Sequence, residues 1–266
     1  MSVLARLRST APTEFEMNCE RLVKYTVGRM DSLPNRYKKF VRPKIMTPLM
    51  GAYHDVILAN ETSWKSESGR KERAQLFERA LRRLSMLQRP LVVYWNLKNT
   101  KQGGIDEWVN LINREIALIN GADKRKEVDP VLYIRSYQMA YSDDHIFLNR
   151  MRDLHKYTYS KICTVPLEYK DHLSDAILKY VDDALYLVLE GNRSIPTSKA
   201  EYERRDKCFR QAVGNLNGLQ RPLYSLWNVI NYSENVMDEW ACAIDEEILL
   251  IQGVRKSDRE RFRHLK

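Results

Sequence analysis

Apolar residues recur at three- and four-residue spacing through most of the chain, most clearly in KIMTPLMGAYHDVILAN (44–60), AQLFERALRRLSMLQ (74–88) and DEWVNLINREIALI (106–119). That spacing lays one apolar stripe along a helix, whereas β-branched alternation of period two is absent. Helices are predicted at 14–32, 41–61, 69–101 and 104–120, and again at 144–164, 170–191, 198–232 and 235–252. Gly103, Gly104 and Gly121 stand where helices should end, and SLPNRYK and TVPLEYK supply first turns whose proline closes the preceding helix. Four antiparallel helices with short loops make a bundle, so two bundles are expected.

The second set of helices repeats the first. LQRPLVVYWNLKN (87–99) returns as LQRPLYSLWNVIN (219–231), and the same offset of 132 residues runs without a gap along the chain. KYT falls on KYT, DEW on DEW, Asn60 on Asn192, Phe77 on Phe209 and Glu115–Ile116 on Glu247–Ile248. About a third of the positions from 22 to 121 are identical to their partners. The fold class expected is all-α: two tandem antiparallel four-helix bundles from an internal duplication. The domains are 1–121, a linker and lead-in at 122–149, a second bundle at 150–254 and a basic tail at 255–266. Pro90 and Pro222 each remove a helical hydrogen bond and should kink or break the third helix. Trp95 and Trp227 would then turn inward and share a cluster with Trp108 and Trp240.

Charge separates the two copies. Residues 1–121 hold 21 Lys/Arg against 12 Asp/Glu, whereas residues 122–266 hold 23 of each. Within the second part the tail 255–266 is basic, leaving residues 122–254 at −4. The excess in the first copy gathers around its second helix as Arg36, Lys38, Lys39 and Arg42, and along its third as Lys71, Arg73, Arg79, Arg82, Arg83 and Arg89. Arg79, Arg82 and Arg83 meet Gln211, Gly214 and Asn215 in the second copy, which implies that the fold does not require them. A basic helical stripe suits a phosphate backbone, where Lys and Arg displace counterions. An acidic protein surface, or a face kept merely solvated, would use the same residues. Tyr37 and Tyr94 could stack on bases or simply pack.

Catalytic and metal signatures are poor. His54, His145, His155, His172 and His264 form no HxxxH or HExxH pattern, and none recurs at its paired position. Cys19, Cys163, Cys208 and Cys242 stand singly, as reduced cysteines of a cytoplasmic protein would. No phosphate-binding glycine loop or nucleophile elbow is present, so no catalytic residue, metal or cofactor is expected. The N-terminus has no apolar signal region, and no apolar run reaches the ~20 residues of a membrane span, so no membrane role is expected.

The repeat unit resembles a family of four-helix-bundle proteins. The likeness lies in Pro34, Tyr37, Ala59–Asn60, Ala80, Leu84, Arg89 and Glu115–Ile116, and in Pro166, Tyr169, Gly191–Asn192, Ala212, Leu216, Arg221 and Glu247–Ile248. That family includes Avd, the accessory variability determinant of diversity-generating retroelements, and the proteins encoded in rRNA intervening sequences. The resemblance implies a basic, non-enzymatic bundle that forms a homo-oligomeric ring and binds RNA and a reverse transcriptase during mutagenic cDNA synthesis. Two bundles in one chain and a proline inside the third helix depart from the family pattern.

Overall fold

The structure is a computed structural model that describes residues 14–62, 65–98, 103–122, 145–166, 169, 173–193, 195–230 and 232–265. Among these residues the chain is helical and contains no strand. We number the helices α1 (Glu14–Asp31), α2 (Asn35–Glu61), α3 (Glu67–Ser85), α4 (Gln88–Lys98), α5 (Gly103–Ala122), α6 (Ile146–Ile162), α7 (Asp175–Gly191), α8 (Lys199–Ile230) and α9 (Glu234–Arg261). A short 3₁₀ turn, Arg263–Leu265, follows. Most of the predicted lead-in, residues 123–144, lies outside the described residues.

The chain divides into two compact units: Met1–Leu91 with Thr100–Ile134, and Val92–Asn99 with Arg135–Lys266. In the first, α1 packs on α2 and α5, and α3 closes the ring by packing on α2 and α5. Gly51 faces Arg83 while Asp55 faces Arg79, so α2 and α3 run antiparallel. The core is built from Leu22, Ile45, Leu49, Val56, Phe77, Leu84, Trp108 and Ile112, all shut off from solvent. Each such side chain contributes roughly 1.5–3 kcal/mol by leaving water. In the second unit α6, α7, α8 and α9 close the same ring of neighbours around Met151, Val181, Phe209, Leu216, Trp240, Ile244 and Ile251.

Four sequence expectations are corrected. The third helix of the first copy does break, as expected, at Met86–Leu87, one turn ahead of Pro90, which leaves Pro90 in the first turn of α4 where a missing N–H costs little. In the second copy α8 runs unbroken through Pro222. Gly218 makes that passage possible: a Cβ there would fall 2.7 Å from the Tyr180 ring of α7. Its counterpart Met86, at the break, turns its side chain to solvent. Second, Trp95 falls in the second unit, whereas Trp108, expected in the same cluster, falls in the first. Trp108 packs edge-on to Tyr25, and Trp240 packs edge-on to Tyr157 and donates its Nε1–H to Thr158 Oγ1 (3.1 Å). Trp95 belongs to the second unit, and Trp227 is half-buried beside Tyr224.

Third, residues 255–261 are not a tail. α9 passes Gly253 without interruption because Ile251, Asp258 and Phe262 continue a buried stripe. Asp258 accepts Arg205 Nε at 2.6 Å, which locks the end of α9 to the start of α8. Fourth, α2 begins at Asn35 and contains Pro43 and Pro48, so the basic first turn belongs to a helix six residues longer at its start than predicted.

Candidate nucleic-acid interface

The basic residues singled out on the first unit divide into two groups once their neighbours are known. Asp55, in the middle of α2, is buried, and a buried carboxylate must be paired or neutralised. Arg79 Nη2 donates to its Oδ1 at 2.8 Å, and Arg83 Nη1 lies 2.8 Å from its Oδ2. The Arg83 guanidinium also donates to the Gly51 carbonyl, across a position where a Cβ would fall 2.6 Å from Arg83 Nη1. Arg79 and Arg83 therefore hold α3 against α2.

This overturns the inference that the fold does not require them. The second copy lacks both arginines, but it also lacks the acid, since Leu187 stands where Asp55 would be. The three polar groups are present together or absent together. Arg82 differs: it is exposed and, among the described residues, pairs only with Glu78, one helical turn back, at 3.4 Å. Such exposed pairs contribute well under 1 kcal/mol and leave the cation available to a stronger partner.

The other group lies on the first turns of α2. Arg36, Lys39 and Arg42 are exposed and Lys38 is half-buried. Arg36 and Lys39 lie over the rings of Tyr37 and Phe40, at 4.6 and 4.7 Å from the centroids. No ion pair among the described residues engages Lys38 or Arg42. Arg89 is exposed at the start of α4. Lys71, near the start of α3, pairs with Glu67 at 2.8 Å, and Arg73 lies over the Phe77 ring at 5.3 Å. Tyr37 and Tyr94 are buried, so neither offers a face on which a base could stack.

The second unit uses its cations internally. Arg205 bonds Asp258 and the Gly191 carbonyl, Arg255 bonds Asp206 at 2.8 Å, and Arg193 and Arg204 share Glu190. At the positions of Arg36, Lys38, Lys39 and Arg42 its sequence has Glu168, Lys170, Asp171 and Ser174. Four positive charges thus become a net negative one.

Two features were not readable from residue spacing. Glu115 and Glu247, which occupy the same place in the repeat, are both fully buried. Burial pushes the Glu115 carboxyl up to about 8, against the pull of the Asn18 amide, which donates to its Oε2 at 2.7 Å. Burial pushes Glu247 up to about 9, and the charge of Arg150 only partly opposes it. Both are carboxylic acids at neutral pH.

The second feature is a polar chain inside the second unit. Asn96 Nδ2 donates to the Arg152 carbonyl (3.2 Å) and lies 3.0 Å from His155 Nδ1, while Arg152 Nε donates to Asn96 Oδ1 (3.2 Å). With the amide oriented by Arg152, its N–H meets the lone pair of His155 Nδ1. The proton of the neutral ring then sits on Nε2 and donates to Asp182 Oδ1 (3.0 Å). Tyr159 O–H donates to the other Asp182 oxygen at 3.2 Å. All members are tied up in fixing Val92–Asn99 to α6 and α7. The arrangement holds helices together.

A shallow cleft of about 240 Å³ lies between α6 and α9, lined by Arg150, Asp153, Tyr157, Glu239 and Glu246 around Leu154 and Ala243. Tyr157 O–H donates to Glu239 Oε2 (2.8 Å), and burial raises its phenol further above the ordinary range. Among the described residues no three His, Cys, Asp or Glu side chains converge to hold a metal ion, and no helix is long and apolar enough to cross a membrane. No protein-family model, curated protein or solved structure matches the chain.

Proposed function

We propose that the protein is a non-catalytic accessory factor that binds RNA through its first unit and docks on a reverse transcriptase in support of retroelement cDNA synthesis. The observation that carries the RNA part is the set of cations on the first turns of α2. The sequence has no acidic residue between positions 32 and 54, around Arg36, Lys38, Lys39 and Arg42, whereas the second copy carries two acids in the same four places. Arg89 adds an exposed cation at the start of α4 and Arg82 one on α3, whereas Lys71 and Arg73 lie toward the far end of α2, because α2 and α3 run antiparallel. Arg79 and Arg83 add charge on α3 while serving the fold. The reverse transcriptase comes from the family resemblance alone.

Titration of a labelled RNA from roughly 50 to 300 mM salt tests the reading. Replacing Arg36, Lys38, Lys39 and Arg42 with Gln should weaken binding at least tenfold at low salt. It should also flatten the log–log salt slope by about 3, as expected for four lost phosphate contacts on a single strand. An unchanged slope would move the interface elsewhere. A wild-type chain that purifies free of nucleic acid and binds none would favour the second reading, a protein scaffold whose basic unit meets an acidic partner.

A further inference from the structure

The same helical segment occurs twice in this chain with two different fates. In α4, Val92, Val93, Asn96 and Leu97 are all buried, and the segment belongs to the second unit. Their counterparts near the end of α8 are Tyr224, Ser225, Asn228 and Val229, and all four are exposed. Tyr224 and Val229 leave 63% and 43% of their surface in solvent. The opposite face of each segment, Leu91 and Tyr94 in one and Leu223 and Leu226 in the other, is buried in both. The difference is confined to the face that meets α6 in the first case and is exposed in the second.

The receiving face is duplicated too. In the second unit Asn96 docks on Arg152 and His155 of α6, with Asp182 of α7 behind them. The same places on the first unit are Glu20 and Val23 of α1 and Met50 of α2, with Met17 standing where Asn149 stands. Met17 and Met50 leave 50% and 44% of their surface in solvent. His155 and Tyr159 are fully buried, whereas their counterparts Val23 and Val27 are only half-buried. One unit's face is occupied and the other's is open.

We infer that the open face of α1 and α2 receives the end of α8 from a second copy of this chain. The contact would repeat, between molecules, the docking that α4 makes within one. The chemistry has been adjusted at both ends. Where the occupied face has His155 and Asp182, the open one has Val23 and Met50, with the exposed Glu20 in the place of Arg152. Where the docked segment has Val92, the exposed one has the aromatic Tyr224, and thioethers against aromatic rings form favourable contacts. Asn228 retains the amide that in the docked copy bonds a main-chain carbonyl. Each chain has one segment to give and one face to fill, so two copies can close on each other through two identical contacts.

Sedimentation of the full chain at roughly 100 μM tests this, since an interface with a Kd of ~10 μM is mostly filled there. The wild type should sediment as a dimer or larger. A Tyr224→Glu/Val229→Glu variant loses the segment, and a Met17→Glu/Met50→Glu variant loses the face, so each alone should be monomeric. Mixed, they should form a 1:1 complex, because one retains the face and the other the segment. Far-UV helicity and urea midpoints equal to wild type separate lost assembly from lost fold. Should a variant unfold, Val229→Asn and Met50→Gln carry the same expectation. A monomeric wild type, an unaffected variant, or a mixture that stays monomeric would each overturn the inference.

Discussion

α4 and the last third of α8 share Leu, Trp and Asn at their matching positions, yet residues 91–97 of the one are all buried and the other is buried mainly on one face. What separates them is the helix leading in. A break at Met86–Leu87 frees α4 to be enclosed, whereas Gly218 lets α8 pass close by Tyr180 and remain on its own bundle. Environment, more than sequence, has set the role of each copy. A residue's counterpart elsewhere in the chain therefore indicates what it can do, and its neighbours decide what it does.

The largest effect expected from this contrast is at the paired tryptophans. Trp95→Ala should cost about 3–5 kcal/mol, because a side chain 6% exposed leaves a cavity that the surroundings cannot fill. Trp227→Ala, which loses a half-buried ring and the bond from its Nε1 to the Tyr232 carbonyl (3.0 Å), should cost roughly 1–2 kcal/mol. Urea unfolding of both variants decides; equal losses would remove the distinction between enclosed and one-sided helix.

The buried acids sharpen the comparison along the pH axis. A carboxyl held protonated in the fold but free to ionise in the unfolded chain stabilises fully below the unfolded value near 4.5. That stability is lost as pH rises to the folded value. Stability should therefore fall by a few kcal/mol between pH 5 and 9, with Glu115 completing its share near 8 and Glu247 near 9. Glu115→Gln should reduce the slope between pH 5 and 8, and Glu247→Gln should reduce it from pH 5 to 9 and remove the part above 8, read from urea midpoints at several pH values. A decline that both variants share with the wild type would mean that other groups cause it.

The smallest effect concerns Asp55. Arg79→Gln with Arg83→Asn, the residues of the second copy, should destabilise by roughly 1–3 kcal/mol, since a buried carboxylate loses both partners while solvent at the half-exposed arginines moderates the cost. Adding Asp55→Leu, again from the second copy, should restore the midpoint to within ~1 kcal/mol. A triple variant no more stable than the double would show that the three residues do not act as a set.

Periodicity and the repeat made the helices legible because an apolar stripe is a local property of the chain. The Asp55 pairing was not, since one acid on an apolar face looks like an exception until its partners across the helix interface are seen. Comparing the copies three residues at a time would have found it, as Asp55, Arg79 and Arg83 become Leu187, Gln211 and Asn215 together. The end of α9 was misread for a related reason. Its buried stripe continues through Asp258, and an acid at a core position hides the period. The exposure of Arg36, Lys39 and Arg42 could be anticipated from their charge. The enclosure of α4 could not, because it depends on residues more than fifty positions away.

The second unit also has a particular order of completion on the ribosome. Its earliest piece, Val92–Asn99, is synthesised before any of α6 to α9, and the tie from Arg205 to Asp258 forms only once α9 has been made. Val92, Trp95 and Leu97 must therefore wait, apolar and unaccompanied, while more than fifty residues emerge before α6 can cover them. The first unit has all four of its helices in hand by Ala122 and can close during that interval. An N-terminal bundle that folds early, with a dangling apolar helix seeking a cover, is a natural client for a chaperone until the rest of the chain arrives.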